Sequence, residues 1–280
     1  MLFNAASRTL LEFGRNSRWL GGELGITMVL HTWGQNLGQH VHVHCIVTDG
    51  GLSPDGQRWL TPPRRGFLFP TAALSKVFRG KYLDALASAH RKGEVHVRGA
   101  DEPDEDRAFD CLGASLLSQD WVVYSKPPFA DAGQVLAYLG RYTHKTAIGN
   151  HRLIDFDDEH VRFRWRDYAD GNRRKVMRLE VDEFIRRFLL HVLPRGFTRL
   201  RHYGLLANRN RSRKLAQCRA LLGQPAAEPP KEETAQELIL RVTGVDIAVC
   251  RYCGRGQLRH VAILKPGADA VVSMRTARPP

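Results

Sequence analysis

Polar and apolar residues alternate with a period of two over two stretches in the first quarter of the chain. Over Gly25–Trp33 the pattern predicts a strand with Ile26, Met28 and Leu30 on one face and Thr27, Val29 and His31 on the other. Gly34–Gln39 supplies turn residues, and HVHVHCIV (His40 to Val47) predicts a second strand. Its Val41, Val43, Cys45 and Val47 face a core, while His40, His42 and His44 face the other way. An antiparallel hairpin in which Trp33 pairs with His40 puts His31 opposite His42 and gathers His31, His42 and His44 on one face.

Further along, GGLSPDGQRWL reads as a loop or small β excursion, and apolar positions 74, 78, 83 and 86 predict a helix over Thr71 to Lys92. DEPDED (101–106) is an acidic loop before a short helix, and Trp121 to Tyr124 reads as a strand stopped by Pro127. Asp131 followed by Gln134 marks a helix start, continuing through VLAYLGRYTHK until Ile148-Gly149. HRLIDFDD and VRFRWRDYADGNRRKVMRLEV predict strands joined by an Asp170-Gly171 turn. An amphipathic helix is expected over Val181 to Leu193 and a basic helix over Arg209 to Leu222. Antiparallel strands followed by helices define an α+β class.

Composition narrows the partners. Residues 161–220 hold 17 Lys or Arg against 5 Asp or Glu, so a net of +12 in one stretch accounts for nearly all of the chain's +13. That concentration fits a polyanion, and strands with interleaved aromatics favour nucleic acid over a membrane surface. No apolar run is long enough to span a bilayer, and the first residues lack the order of a secretory signal, so a cytoplasmic location is expected, with no membrane partner. The five cysteines read as reduced thiols.

Imidazole is a frequent metal ligand, and H-x-H-x-H beside another strand histidine points to a divalent ion held at His42 and His44. His31 is the expected third ligand, with His40 as its substitute. Tyr138 and Tyr142, four apart on a helix, share one face, with Arg141, His144 and Lys145 nearby as phosphate partners. Cys250-Arg-Tyr-Cys253 is half of a zinc ribbon and a candidate structural Zn²⁺ site, with His260 the only other ligand in reach along the sequence.

HVHVHCIV with upstream LHTWGQ, and YLGRYTH with downstream IGNHRL, resemble the two-tyrosine HUH transposases of bacterial rolling-circle insertion sequences. RWRDYADGNRRKVMRL, FLLHVLPRGFTRLRHYGLLANR and KLAQCRALL extend the resemblance to about residues 1–222. It implies an HUH endonuclease-like central antiparallel sheet with helices packed on one face, followed by a basic C-terminal extension. It also implies a metal-dependent endonuclease and strand transferase in DNA transposition and recombination. On this reading His42 and His44 match the paired metal-binding histidines, Tyr138 and Tyr142 match the nucleophiles, and the cofactor is Mg²⁺ or Mn²⁺. The partner is single-stranded DNA at transposon ends in a bacterial cytoplasm, with nucleoid association during activity; the oligomeric state is left open. Family members carry an N-terminal cysteine-rich zinc segment, so a shortened member is expected here. A plasmid replication initiator or relaxase shares this chemistry, and an inactive DNA-binding remnant is a third reading.

The expected organisation is a catalytic region over 1–222 containing the basic segment 161–220, a linker over 223–245, a small Cys-x-x-Cys element over 246–265 and a disordered tail over 266–280. DNA contacts are expected from Arg141, Lys145, Arg162, Arg164, Arg166, Arg173, Arg174, Lys175, Arg199 and Arg201. Phe163, Trp165 and Tyr168 are stacking candidates, the first two read more readily as sheet core.

Overall fold

A computed structural model describes residues 1–63, 66, 68–97, 104–143, 147–226 and 233–258; of residues 141–143 it describes the backbone only. Lys145, His260 and the expected tail over 266–280 lie outside the described residues. The chain divides into two units, Met1–Ala226 and Ala227–Pro280.

In the first unit, β1 (Gly25–Trp33) is the centre of an antiparallel sheet, flanked by β2 (Gln39–Val47) and by β8 (Leu200–Gly204). Ile26, Met28 and Leu30 point from β1 into a core with Phe3, Ala6 and Phe13 of α1 (Leu2–Arg15) and Leu74 of α2 (Thr71–Arg91). Ile26 and Met28 are completely buried, each contributing about 1.5–3 kcal/mol of transfer free energy. Val43 and Val47 of β2 join this core, but Val41, at the start of an edge strand, is exposed, as is Cys45. At the end of β8, Gly204 has φ +61° and a Cβ there would lie 1.9 Å from the Leu24 carbonyl oxygen, so only glycine permits this approach. The short hairpin of β3 (Gly51–Leu52) and β4 (Trp59–Leu60) is the small β excursion.

Helix α3 (Glu105–Ser118) is capped by the Asp104 carboxylate, which accepts from the Asp106 and Arg107 N–H groups. Trp121 to Tyr124 is not a strand. Among the described residues it pairs with no sheet; Trp121 instead packs on Phe78 and Tyr82 of α2, and its indole N–H donates to the Leu116 carbonyl at 3.0 Å. Contacts of Trp121 and Val123 with the helices and core hold the segment, and Pro127 and Pro128 just after it stop a ladder from continuing. Helix α4 spans Ala132–Thr143, its start held by the Asp131 carboxylate accepting from Gln134 N–H at 2.9 Å.

A second antiparallel sheet orders β5 (Leu153–Phe156), β6 (His160–Asp167) and β7 (Arg173–Glu180). Gly171 (φ +58°) and Asn172 (φ +64°) form the tight turn between β6 and β7. Phe163 is completely buried, with Trp165, Met177, Leu179 and Phe184 around it, so Phe163 and Trp165 are core residues. Helix α5 (Val181–Leu189) ends four residues before the expected Leu193, and α6 spans Arg211–Leu221.

The two sheets meet through the β1–β2 turn. Leu37, at φ +61° and completely buried, inserts into the core around Phe163, and its carbonyl accepts from His191 Nε2 at 2.9 Å. Arg187 donates to the Asn36 carbonyl at 3.1 Å, and the Arg152 guanidinium bonds the Gln35 carbonyl.

In the second unit, Ala235–Thr243 forms α7, with a capping box between Thr234 and Glu237 and Gly244 closing the helix at φ +71°. The stretch 223–245, expected to be linker throughout, therefore contains a helix: the Pro-rich composition ends at Pro230, and a cap with an amphipathic run follows.

Candidate metal and tyrosine site

The register of β1 and β2 builds the site. His31 lies opposite His42, and Val29 opposite His44, whereas Trp33 pairs with Gln39 rather than His40. A bulge between His31 and Trp33 absorbs the one-residue difference, so the expected histidine pairing holds although its turn-side anchor is shifted. One ligand atom from each of His31, His42 and His44 lies within 4.8 Å of the others. His40 is not in that group; its ring is exposed, and its backbone carbonyl lies 2.7 Å from His42 Nδ1.

That contact sets the chemistry of His42. A carbonyl can only accept, so Nδ1 carries the proton and Nε2 presents its lone pair. His42 Nε2 and His44 Nε2 are 3.1 Å apart, and His44 Nδ1 lies 2.7 Å from the Tyr138 hydroxyl. Burial lowers the His42 pKa, as does neighbouring His40, against the opposing bond to the His40 carbonyl. His44 is lowered to about 4 by burial first, then by the charges of His42 and Lys126. Both rings are therefore neutral at pH 7, the form a metal ion binds. Three imidazoles aimed at one small volume, two with nitrogens at contact distance, fit a divalent cation.

His31 is buried, stacked on Trp33 with ring centroids 4.6 Å apart. Tyr138 is braced by Phe129, at 5.3 Å between centroids. Tyr142 follows one turn later on α4; its side chain and that of Arg141 lie outside the described residues. Sequence reading missed Lys126 and Phe129, which lie in the Ser125–Phe129 segment leading into α4; a lysine between strand-like and helical segments that already carry the candidate tyrosines was the available signal.

The basic residues divide into two groups. On β6, Arg162, Arg164 and Arg166 are exposed on one face while Phe163 and Trp165 turn inward. Arg162 stands opposite Arg178 and Arg166 opposite Arg174, which extends the positive face across β7. Some charge is internally met: Arg162 pairs with Asp155, Lys175 with Asp167 and Asp170, and Arg173 with Asp170. Tyr168 is exposed beside this face. Arg199 differs from a surface contact: it is half-buried, sits 4.9 Å above the Trp33 ring and donates to the Leu30 carbonyl. Arg201 is exposed and lies over Phe3 at 4.6 Å. Among the described residues no helix is long and apolar enough to cross a membrane.

An antiparallel sheet displaying three convergent imidazoles, with a helix-borne tyrosine bonded to one of them, defines an HUH-like α+β protein. Residues 25–214 match the profile of the Y2_Tnp family, described as "Putative transposase", and the chain belongs to that transposase family. It is 47% identical over 267 residues to "Putative transposase y4qJ" of Sinorhizobium fredii (strain NBRC 101917 / NGR234), covering 94% of this chain and 67% of that protein. It is 25% identical over 299 residues to the transposase for insertion sequence element IS801 of Pseudomonas savastanoi pv. phaseolicola, covering 99% of this chain and 67% of that one. No solved structure matches the chain.

Proposed function

We propose that this transposase nicks and rejoins single-stranded DNA through a 5′-phosphotyrosine intermediate, in the manner of rolling-circle transposition. The observation that carries the reading is the bond between His44 Nδ1 and the Tyr138 hydroxyl, on a ring whose other nitrogen faces His42.

A phenol, with a pKa near 10, attacks a phosphodiester poorly unless its deprotonated form is favoured. When bound to the three imidazoles, a divalent cation would polarise the scissile phosphate and offset the charge that accumulates in transfer. His44 Nε2 would be one of the atoms holding that ion, which would leave the ring proton on Nδ1. The ring then donates to Tyr138 Oη and favours phenolate over phenol. Tyr138, its proton released to solvent, attacks phosphorus through Oη; the new O–P ester bond forms as the bond to the 3′-oxygen of the upstream strand breaks, and that oxygen takes up a proton from solvent. Because one ester replaces another, a 3′-hydroxyl can reverse the step without a nucleotide cofactor.

Tyr138 is the first nucleophile in this reading, and Tyr142, one turn along α4, serves the second strand end. Nitrogen donors suit Mn²⁺ better than Mg²⁺, which prefers oxygen. The arginine face of β6 and β7, with Tyr168 beside it, tracks the backbone and stacks bases.

The test is a 3′-end-labelled single-stranded oligonucleotide carrying an insertion-sequence end, incubated with protein and Mn²⁺. Label retained by the protein on a denaturing gel, and lost with Tyr138→Phe, supports the reading. Free cleaved fragments without protein-bound label would overturn the phosphotyrosine step.

A further inference from the structure

The second unit contains a piece of chemistry that DNA cleavage does not use. Around Cys250 and Cys253 the backbone doubles back on itself: Val249 bridges Gln257, the Cys250 N–H donates to the Gly256 carbonyl at 2.7 Å, and the Leu258 N–H donates to the Ala248 carbonyl at 2.6 Å. At the tip, the Gly254 N–H donates to the Cys250 carbonyl at 2.9 Å, with Gly254 itself at φ +66°.

This tight turn is built towards sulfur. The Gly256 N–H donates to Cys253 Sγ at 3.2 Å, and the Arg255 N–H and the Cys250 thiol are directed at the same atom. A Cβ at Gly256 would lie 3.3 Å from Cys253 Sγ and 3.6 Å from Cys250 Cβ, so glycine keeps the backbone close to both side chains. Backbone amides aimed at a sulfur stabilise its thiolate, which is the metal-binding form. Both thiols are free rather than joined.

Hydrophobic burial does not explain why the turn is ordered. Residues 251–258 are all exposed and Tyr252 is fully so. An element this small, without a core of its own, ordinarily relies on a covalent or metal staple.

We propose that Cys250 and Cys253 form a zinc knuckle, supplying two thiolates to one tetrahedral Zn²⁺. Soft sulfur donors select Zn²⁺ over the harder ions suited to phosphate chemistry, so this site and the histidine cluster take different metals. Binding releases the thiol protons and pins the turn. Among the described residues no further His, Cys, Asp or Glu joins the pair. The remaining two positions are taken by the same pair in a second copy of the chain.

The experiment uses the reduced full chain carrying His42→Ala and His44→Ala, which removes the histidine cluster as a competing site. Titration with Co²⁺ should give a thiolate-to-metal charge-transfer band that Zn²⁺ then bleaches. Cys250→Ser or Cys253→Ser should abolish the band, while Cys45→Ser and Cys111→Ser leave it intact. One zinc per two chains supports the shared knuckle, and one zinc per chain overturns completion by a second copy. No band in the reduced protein, or a band indifferent to Cys250→Ser and Cys253→Ser, overturns it. The readout is independent of DNA cleavage, so a protein without nicking activity still tests it.

Discussion

His44 and Tyr138 are joined by a 2.7 Å hydrogen bond that spans 94 positions of sequence and ties an edge strand to helix α4. The same ring faces His42 with its second nitrogen, so a change at His44 alters both the histidine cluster and the phenol. His44→Ala should remove metal binding and lower nicking by about 10²–10³-fold, the range for losing a preorganised hydrogen-bond donor. Tyr138→Phe should bind Mn²⁺ as tightly as the parent while forming no covalent adduct. Calorimetric titration with Mn²⁺, run beside the oligonucleotide assay, separates the two effects.

The histidines also set a pH dependence of stability. His42 and His44 have folded-state pKa values below the ordinary 6.5, with His44 at about 4, so the unfolded chain binds more protons than the folded one between about pH 6.5 and 4. Stability from these groups is present above pH 6.5 and is lost as pH falls through that window. Thermal melts of the metal-free protein should show the melting temperature dropping from pH 7 to pH 4.5, less steeply in His44→Gln.

Lys126 is one of the charges that holds His44 down. Lys126→Ala should raise the His44 pKa, readable by NMR titration, and on the proposed mechanism should slow nicking by removing a positive charge beside the histidine cluster. A raised pKa with unchanged nicking would assign Lys126 to the electrostatics of the ring alone.

Like charges stand directly opposite each other at Arg166 and Arg174, an arrangement that costs stability unless a polyanion covers it. Replacing both by Gln should weaken single-stranded DNA binding and reduce the salt slope, by about 0.7 in the log–log plot for each phosphate no longer neutralised. Fluorescence anisotropy at several salt concentrations measures it. The double variant should melt at or above the parent's temperature without DNA.

Leu37 has no exposed surface and anchors the histidine hairpin in the second core. Leu37→Ala should cost about 2–5 kcal/mol, the range for truncating a buried leucine, and should loosen metal binding at a distance. Denaturant melts and Mn²⁺ titration of the same variant test both consequences.

Period-two alternation was enough to predict the histidine cluster, because β1 and β2 are adjacent in sequence and one register satisfies both faces. The bulge after His31 was not readable, since it depends on how the turn seats Leu37 in a sheet more than a hundred residues away. Helix α1 carried no motif and went unread, although its Phe3 and Phe13 close the main core. Trp121 to Tyr124 has strand composition but takes its place from side-chain contacts with α2. The burial of Arg199 against Trp33 likewise follows from where β8 joins the sheet, which no local pattern encodes.

Lodging Leu37 in the far sheet makes the arginine surface and the imidazole cradle parts of one mechanical piece. A deformation of β5–β7 reaches, through Leu37, the turn that spaces His31 from His42. Movement in one half is thus felt at the histidines without any separate moving part.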